Sequence, residues 1–145
     1  MVGVGINPEK ATLFSPRERV DQVRRVVAPF RNVEVTHYSN LTVHFVREVG
    51  ARVMLRGLRT TTDMEYEFSM SLANLALDSE IETVFLMAKD EYSHVSSSLI
   101  RQIASLGGAV DKFVPPEVKD DLLRRVREHP PAMPPTEREP HSPER

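Results

Sequence analysis

Cysteine and tryptophan are missing altogether from the 145 residues of this chain. Without cysteine there are no disulfides, no thiolate nucleophile and no Cys-ligated zinc or iron–sulfur site. No positive charge accumulates either: 19 Lys and Arg face 21 Asp and Glu, a formal balance of −2. That balance points to neither nucleic acid nor an anionic membrane as a partner. No apolar run approaches the ~20 residues that span a bilayer, and the first residues lack the basic-then-apolar pattern of a secretory signal. The expectation is a soluble, cytoplasmic chain. Glycine is sparse, with six in all, every one before residue 109, whereas six of the 11 prolines fall within residues 130–145. Repeated proline with little to bury reads as a disordered tail. The folded part is therefore expected over residues 1–129, a length that suits one domain with its own core.

Within that part, strand and helix patterns alternate. Met1–Ile6 is short, apolar and β-branched, and Asn7-Pro8 stops it. Ser15-Pro16-Arg17-Glu18 has the form of an N-cap, a proline at the first helical position and a capping-box glutamate. Val20, Val23, Val27 and Phe30 then follow at helical spacing. Val33–Tyr38 reads as a second strand, and Leu41, Phe45, Val46 and Val49 as a short helix stopped by Gly50. Arg52–Leu55 predicts a buried third strand, Met64, Phe68, Leu72 and Leu75 a longer helix, and Thr83–Met87 a fourth strand. Ser96 or Ser97 caps a helix with Leu99, Ile100, Ile103 and Leu106 inward, ended by Gly107-Gly108. Glu117–Glu128 is a last amphipathic helix. Short connections between such units predict an α/β fold, a parallel sheet with helices on both faces.

Ligands of open parallel sheets bind at the carboxyl ends of the strands. Asn7 to Lys10 follow the first strand, Ser39, Asn40 and Thr42 the second, Arg56-Gly57-Leu58-Arg59 the third, and Lys89 to Ser98 the fourth. Cationic side chains and a serine-rich helix start on one rim outline a phosphate-ester or polyphosphate site. Each member also has a plainer reading. Arg56 could pair with Asp63 or Glu65, Lys10 could be a solvated loop lysine, and serine is a routine helix N-cap. Asp63, Glu65 and Glu67 favour the positive end of a helix dipole, while Glu67, Ser71 and Asn74 share one face that could touch a nucleotide or another subunit. The histidines 37, 44, 94, 129 and 141 have no metal-ligand spacing. Met54, Met64, Met70 and Met87 are expected to pack in the core.

Arg56-Gly-Leu-Arg59, Asp63-Met-Glu-Tyr-Glu67 and Tyr92-Ser-His-Val-Ser-Ser-Ser98, with Asn7-Pro-x-Lys10 and Phe14-Ser-x-x-Glu-Arg19 upstream, resemble the bacterial phosphopantetheine adenylyltransferases in order and spacing. The resemblance covers about residues 1–128. It implies a Rossmann-like nucleotidyltransferase fold and a transferase of coenzyme A biosynthesis. That enzyme moves the adenylyl group of MgATP, with Mg2+ carried on the nucleotide, to 4′-phosphopantetheine, giving dephospho-coenzyme A and pyrophosphate. Residue by residue, it implies that Lys10, Thr42 and Arg56 bind the phosphopantetheine side. Gly57, Leu58, Arg59 and Glu67 would contact ATP, as would Tyr92, Ser93, His94, Val95, Ser96, Ser97 and Ser98. The family is typically cytoplasmic and hexameric, so a homo-oligomer is implied too.

Two departures are mild: Met64 stands where an aromatic is common, and Thr42 where a larger apolar residue is frequent. One is severe. The family opens with a strand, a Gly-Thr-Phe-Asp-Pro loop and an H/TxGH helix start whose histidine stabilises the transition state, and no residue here matches it. On this reading the catalytic set has no member in the chain, and its first strand–loop–helix unit is missing. Loss of a catalytic group can cost a factor of about 10³ in rate. Two expectations stay open: an adenylyltransferase whose sequence starts at an internal methionine, or a truncated, inactive relative that binds adenine nucleotide or coenzyme A, or only assembles with full-length subunits.

Overall fold

A computed structural model describes residues 1–7 and 11–129. Its elements are β1 (Val2–Gly5), α1 (Pro16–Val27), β2 (Val35–Tyr38), α2 (Thr42–Glu48), β3 (Val53–Leu58), α3 (Thr61–Leu77), β4 (Glu82–Met87), α4 (Asp90–Ser93), α5 (Ser97–Ser105) and α6 (Pro116–Glu128). Lys10 and the proline-rich segment 130–145 lie outside the described residues.

Local chemistry explains most of the boundaries. The Ser15 hydroxyl accepts from the Glu18 amide at 3.3 Å while the Glu18 carboxylate accepts from the Ser15 amide at 2.7 Å, so the capping box forms as expected. Gly50, just past α2, takes φ +68°, a left-handed turn that a β-carbon would strain. Ser96 rather than Ser97 caps α5, its hydroxyl accepting from the Leu99 amide at 3.2 Å.

The strands pair in parallel, but as two separate pairs among the described residues rather than one sheet: β1 with β2 and β3 with β4. Val4 and Val35 pack on Val20 of α1, and the glycines of β1 face the other way, Gly3 toward Phe45 of α2 and Gly5 toward the Tyr38 ring. The β1–β2 pair thus has a helix on each face. In β3 and β4 one face, carrying Met54 and Arg56, meets α3, while Val53, Leu55, Val84 and Leu86 on the other are exposed. A second core joins Val43, Val46, Met54 and Ile81, and a third joins Ala104 and Val110 to Leu122 and Val126 of α6.

Several expectations need correction. The third strand does not end at Leu55; backbone pairing carries it through Leu58, opposite Met87, so Arg56 sits within the strand instead of after it. No residue of α3 is buried, and Met64, Phe68, Leu72 and Leu75 are exposed. Of the four methionines assigned to the core only Met54 is buried. Phe30 lies beyond the end of α1 and is exposed. Leu106 is 79% exposed and Leu99 is not buried, because α5 turns Ile100, Ile103 and Ala104 toward α6 instead. Periodicity identifies a helix and its apolar stripe; it does not say that something covers the stripe.

Helix α6 is tied to α1 by charge as well as by packing. Arg25 and Gln22 both donate to the Asp121 carboxylate. Arg125 donates to Glu18 and to the Leu13 carbonyl (2.9 Å) and lies over the Phe14 ring. The Arg25 hydrogen bond, helped by that from Gln22, holds the Asp121 carboxyl below its ordinary value of 3.8. A depressed folded pKa stabilises fully above the unfolded value and is lost as pH falls through the lower folded one. Asp121→Asn is therefore expected to destabilise the protein near neutral pH and to have no effect once both pKa values lie above the pH. Urea unfolding midpoints of both proteins at about pH 7 and about pH 2 would show whether the gap closes.

Candidate functional site

Because β3 runs on to Leu58, Arg56 falls on the same face as Met54, beneath α3. Its guanidinium forks onto Glu67 of α3, Nε donating to one carboxylate oxygen at 2.7 Å and Nη2 to the other at 2.8 Å. The fork matches carboxylate geometry, and the Glu67 hydrogen bonds raise the guanidinium's already high pKa. Arg56 is therefore a fixed positive charge. Thr42, in the first turn of α2, lines the same small cavity, together with Ser71 and Asn74 of α3. The cavity is about 20 Å³, room for roughly one water. Thr42, Arg56 and Glu67, far apart in sequence, are thus neighbours. The partner of Arg56 is neither Asp63 nor Glu65.

Asp63 belongs to Arg59. The Arg59 Nε and backbone N–H donate to the same Asp63 oxygen at 2.9 and 3.2 Å, and Nη2 donates to the other at 3.2 Å. This lowers the Asp63 pKa, with the Arg59 side-chain bond as the main cause. The remaining guanidinium nitrogen, Nη1, donates to the Val95 carbonyl. One arginine therefore ties the start of α3 to the segment before α5.

That segment holds the serine run. The Ser93 hydroxyl donates to the Asp90 carbonyl at 2.8 Å, His94 stands edge-on to Phe113 at 5.8 Å, and Tyr92 is exposed. Ser96 is occupied as the cap of α5. Ser97 and Ser98 open onto a cavity of about 640 Å³, whose walls include residues 11–14, Arg19 and Arg101. Among the described residues no group of three or more His, Cys, Asp or Glu side chains is placed to hold a metal ion.

The single rim expected from sequence is thus two clusters, one around Arg56 and one at the start of α5, connected through Arg59 and Val95. Gly57 and Leu58 lie between them on β3. Among the described residues, its chain neighbours aside, no atom stands within 4 Å of where a β-carbon on Gly57 would be, so that side of its backbone is open to approach. Leu58 is 3% exposed, and its carbonyl accepts from the Ala88 amide at 2.7 Å. Sequence reasoning assigned no site role to Asp63 or Tyr38. The Arg59–Asp63 spacing of i,i+4 was a usable signal for the first. Tyr38, whose hydroxyl lies 3.2 Å from that of Thr42, ends an ordinary-looking strand and gave none.

Comparison with known proteins adds a second, independent line. A family model described as cytidylyltransferase-like matches residues 1–103. The chain is similar to the phosphopantetheine adenylyltransferase of Clostridium botulinum strain Hall, 44% identical over 126 residues, which cover 87% of this chain and 77% of that one. It is similar also to the phosphopantetheine adenylyltransferase of Clostridium perfringens strain SM101, 45% identical over 126 residues, with the same coverage of 87% and 77%.

Proposed function

This chain belongs to the phosphopantetheine adenylyltransferases, nucleotidyltransferases of the cytidylyltransferase-like family with a Rossmann-like α/β fold, and from that premise we propose how its own residues serve the reaction. The reaction is the reversible transfer of AMP from ATP to 4′-phosphopantetheine. A phosphate oxygen of the acceptor attacks the α-phosphorus, the new P–O bond forms as the bond to the β-phosphate oxygen breaks, and pyrophosphate leaves. With no covalent enzyme intermediate, the protein's contribution is alignment and charge neutralisation.

The observation that carries the assignment is the forked Arg56 beside Thr42. Arg56 grips the acceptor phosphate and neutralises charge between it and the α-phosphate, with Lys10 as the second cation. Thr42 contacts the acceptor. Glu67 holds the guanidinium in plane and, with the backbone of Gly57 and Leu58 and the side chain of Arg59, faces the nucleotide. Tyr92, Ser93, His94 and Val95 form the wall leading to Ser96, Ser97 and Ser98. There the N-terminus of α5, the positive end of its dipole, receives the β- and γ-phosphates.

Both carboxylates of the site, Glu67 and Asp63, are engaged by arginines. That donor set does not fit a resident metal, so Mg2+ belongs with the phosphates of ATP as part of the substrate, and no step is routed through a protein-held ion. The exposed apolar residues of α3 support a homo-oligomer, hexameric as is typical of the family. No helix among the described residues is long and apolar enough to cross a membrane.

Titration calorimetry with dephospho-coenzyme A tests the binding on which this reading depends. Saturable binding at one site per chain, displaced by ATP, is expected. No binding would refute it.

A further inference from the structure

We infer that Tyr38 is a positioning residue for the acceptor end of the site: its hydroxyl fixes that of Thr42 at the wall of the Arg56 cavity, and two glycines of β1 keep the space its ring needs. The inference rests on the proposed function above and adds a specificity element to it.

Gly3 and Gly5 alternate with Val2 and Val4, so both present hydrogen to the same face of β1. A β-carbon on Gly3 would lie 2.5 Å from Cε1 of Phe45 and 3.1 Å from Cε1 of Tyr38. On Gly5 it would lie 3.2 Å from the Tyr38 hydroxyl oxygen. Real β-carbons essentially never come as close as the first of these distances, so a side chain at Gly3 would move the rings. The rings are held in turn by each other, stacked with centroids 4.3 Å apart and planes 4° from parallel. The Tyr38 ring is thus fixed on one side by backbone and on the other by Phe45, and its hydroxyl comes to 3.2 Å from Thr42 Oγ1. Tyr38 closes β2 and Thr42 opens α2, so the contact bridges the loop at the carboxyl end of the strand. A hydroxyl pair leaves one O–H free to donate onward. With Tyr38 donating, Thr42 offers an oriented donor beside Arg56. The ligand chemistry that uses it is an oxygen acceptor on the organic part of a phosphate ester, such as a hydroxyl or amide carbonyl near the phosphate. A purely apolar chain there would leave it unpaired.

The test measures affinity for 4′-phosphopantetheine and for ATP separately, by calorimetry on the full chain. Tyr38→Phe removes one oxygen and is expected to weaken phosphopantetheine about 3- to 10-fold, the range of one lost hydrogen bond, with ATP unchanged. Thr42→Val is expected to match it. The double variant should be no weaker than Thr42→Val alone, because the two hydroxyls act as one unit. Gly5→Ala, whose β-carbon would press on the Tyr38 hydroxyl and ring while removing neither hydroxyl, should show the same selective loss. Unchanged phosphopantetheine affinity in Tyr38→Phe, or equal losses for both ligands, would overturn the inference while leaving the site assignment standing. A wild-type chain that binds ATP but not phosphopantetheine would overturn both, and the two failures are told apart by the wild-type titration.

Discussion

Arg56→Ala is expected to lower phosphopantetheine-dependent turnover or, where binding is read, acceptor affinity by about 10²- to 10³-fold, the scale of losing a preorganised charge-stabilising donor. The expectation follows from geometry. Arg56 is the cation beside Thr42 that is placed by both β3 and a two-point bond to Glu67. Arg56→Lys keeps the charge but cannot fork, so it should recover only part of the loss. The alanine variant also strands Glu67, whose side chain is mostly shielded, and that could depress activity through stability alone. The double variant Arg56→Ala with Glu67→Gln separates the two effects. It should restore the melting temperature toward wild type and leave acceptor binding weak. If it restored binding as well, Arg56 would be a structural partner of Glu67 and not a phosphate ligand.

The second large effect concerns assembly. Helix α3 has 17 residues, none of them buried, and Met64, Phe68, Leu72 and Leu75 share one exposed stripe. Fully burying a side chain of this size is worth about 1.5–3 kcal/mol, so a helix that leaves four in water is placed for a partner copy. In sedimentation equilibrium the wild-type chain is expected as an assembly of 16.5 kDa subunits, six by the family's habit. Phe68→Glu with Leu72→Glu should break it to smaller species, since a carboxylate buried at such a contact lacks a partner. The stripe lies beside the Glu67, Ser71 and Asn74 face, so dissociation could also loosen Glu67 and with it Arg56. A wild-type chain that remains monomeric at all concentrations would contradict the assignment of this stripe.

What could be read from sequence was what is decided locally. Ser15 and Glu18 satisfy each other within one turn, Gly50 takes the conformation glycine favours, and Ser96 caps its own helix. None of these depends on distant parts of the chain. What could not be read was decided by neighbours far away in sequence. Arg56 interrupts an apolar run and so seemed to end the strand, but pairing with Phe85 carries the backbone onward regardless of side-chain polarity. Whether Arg56 would meet Glu65 or Glu67 turned on which face of α3 lies over β3, two residues amounting to a large rotation about a helix. The stripe on α3 was visible, its exposure was not. The motifs named the candidate residues; the division into an Arg56 cluster and an α5 cluster bridged by Arg59 came from the fold.

The most direct test of adenylyl transfer is pyrophosphate release by the endogenous protein purified from its source cells, with 4′-phosphopantetheine present or withheld and with ATP or CTP as donor. Release that needs phosphopantetheine, uses ATP in preference to CTP and yields dephospho-coenzyme A is the predicted result. No release despite measurable binding of dephospho-coenzyme A, or transfer that proceeds equally without phosphopantetheine, would contradict it.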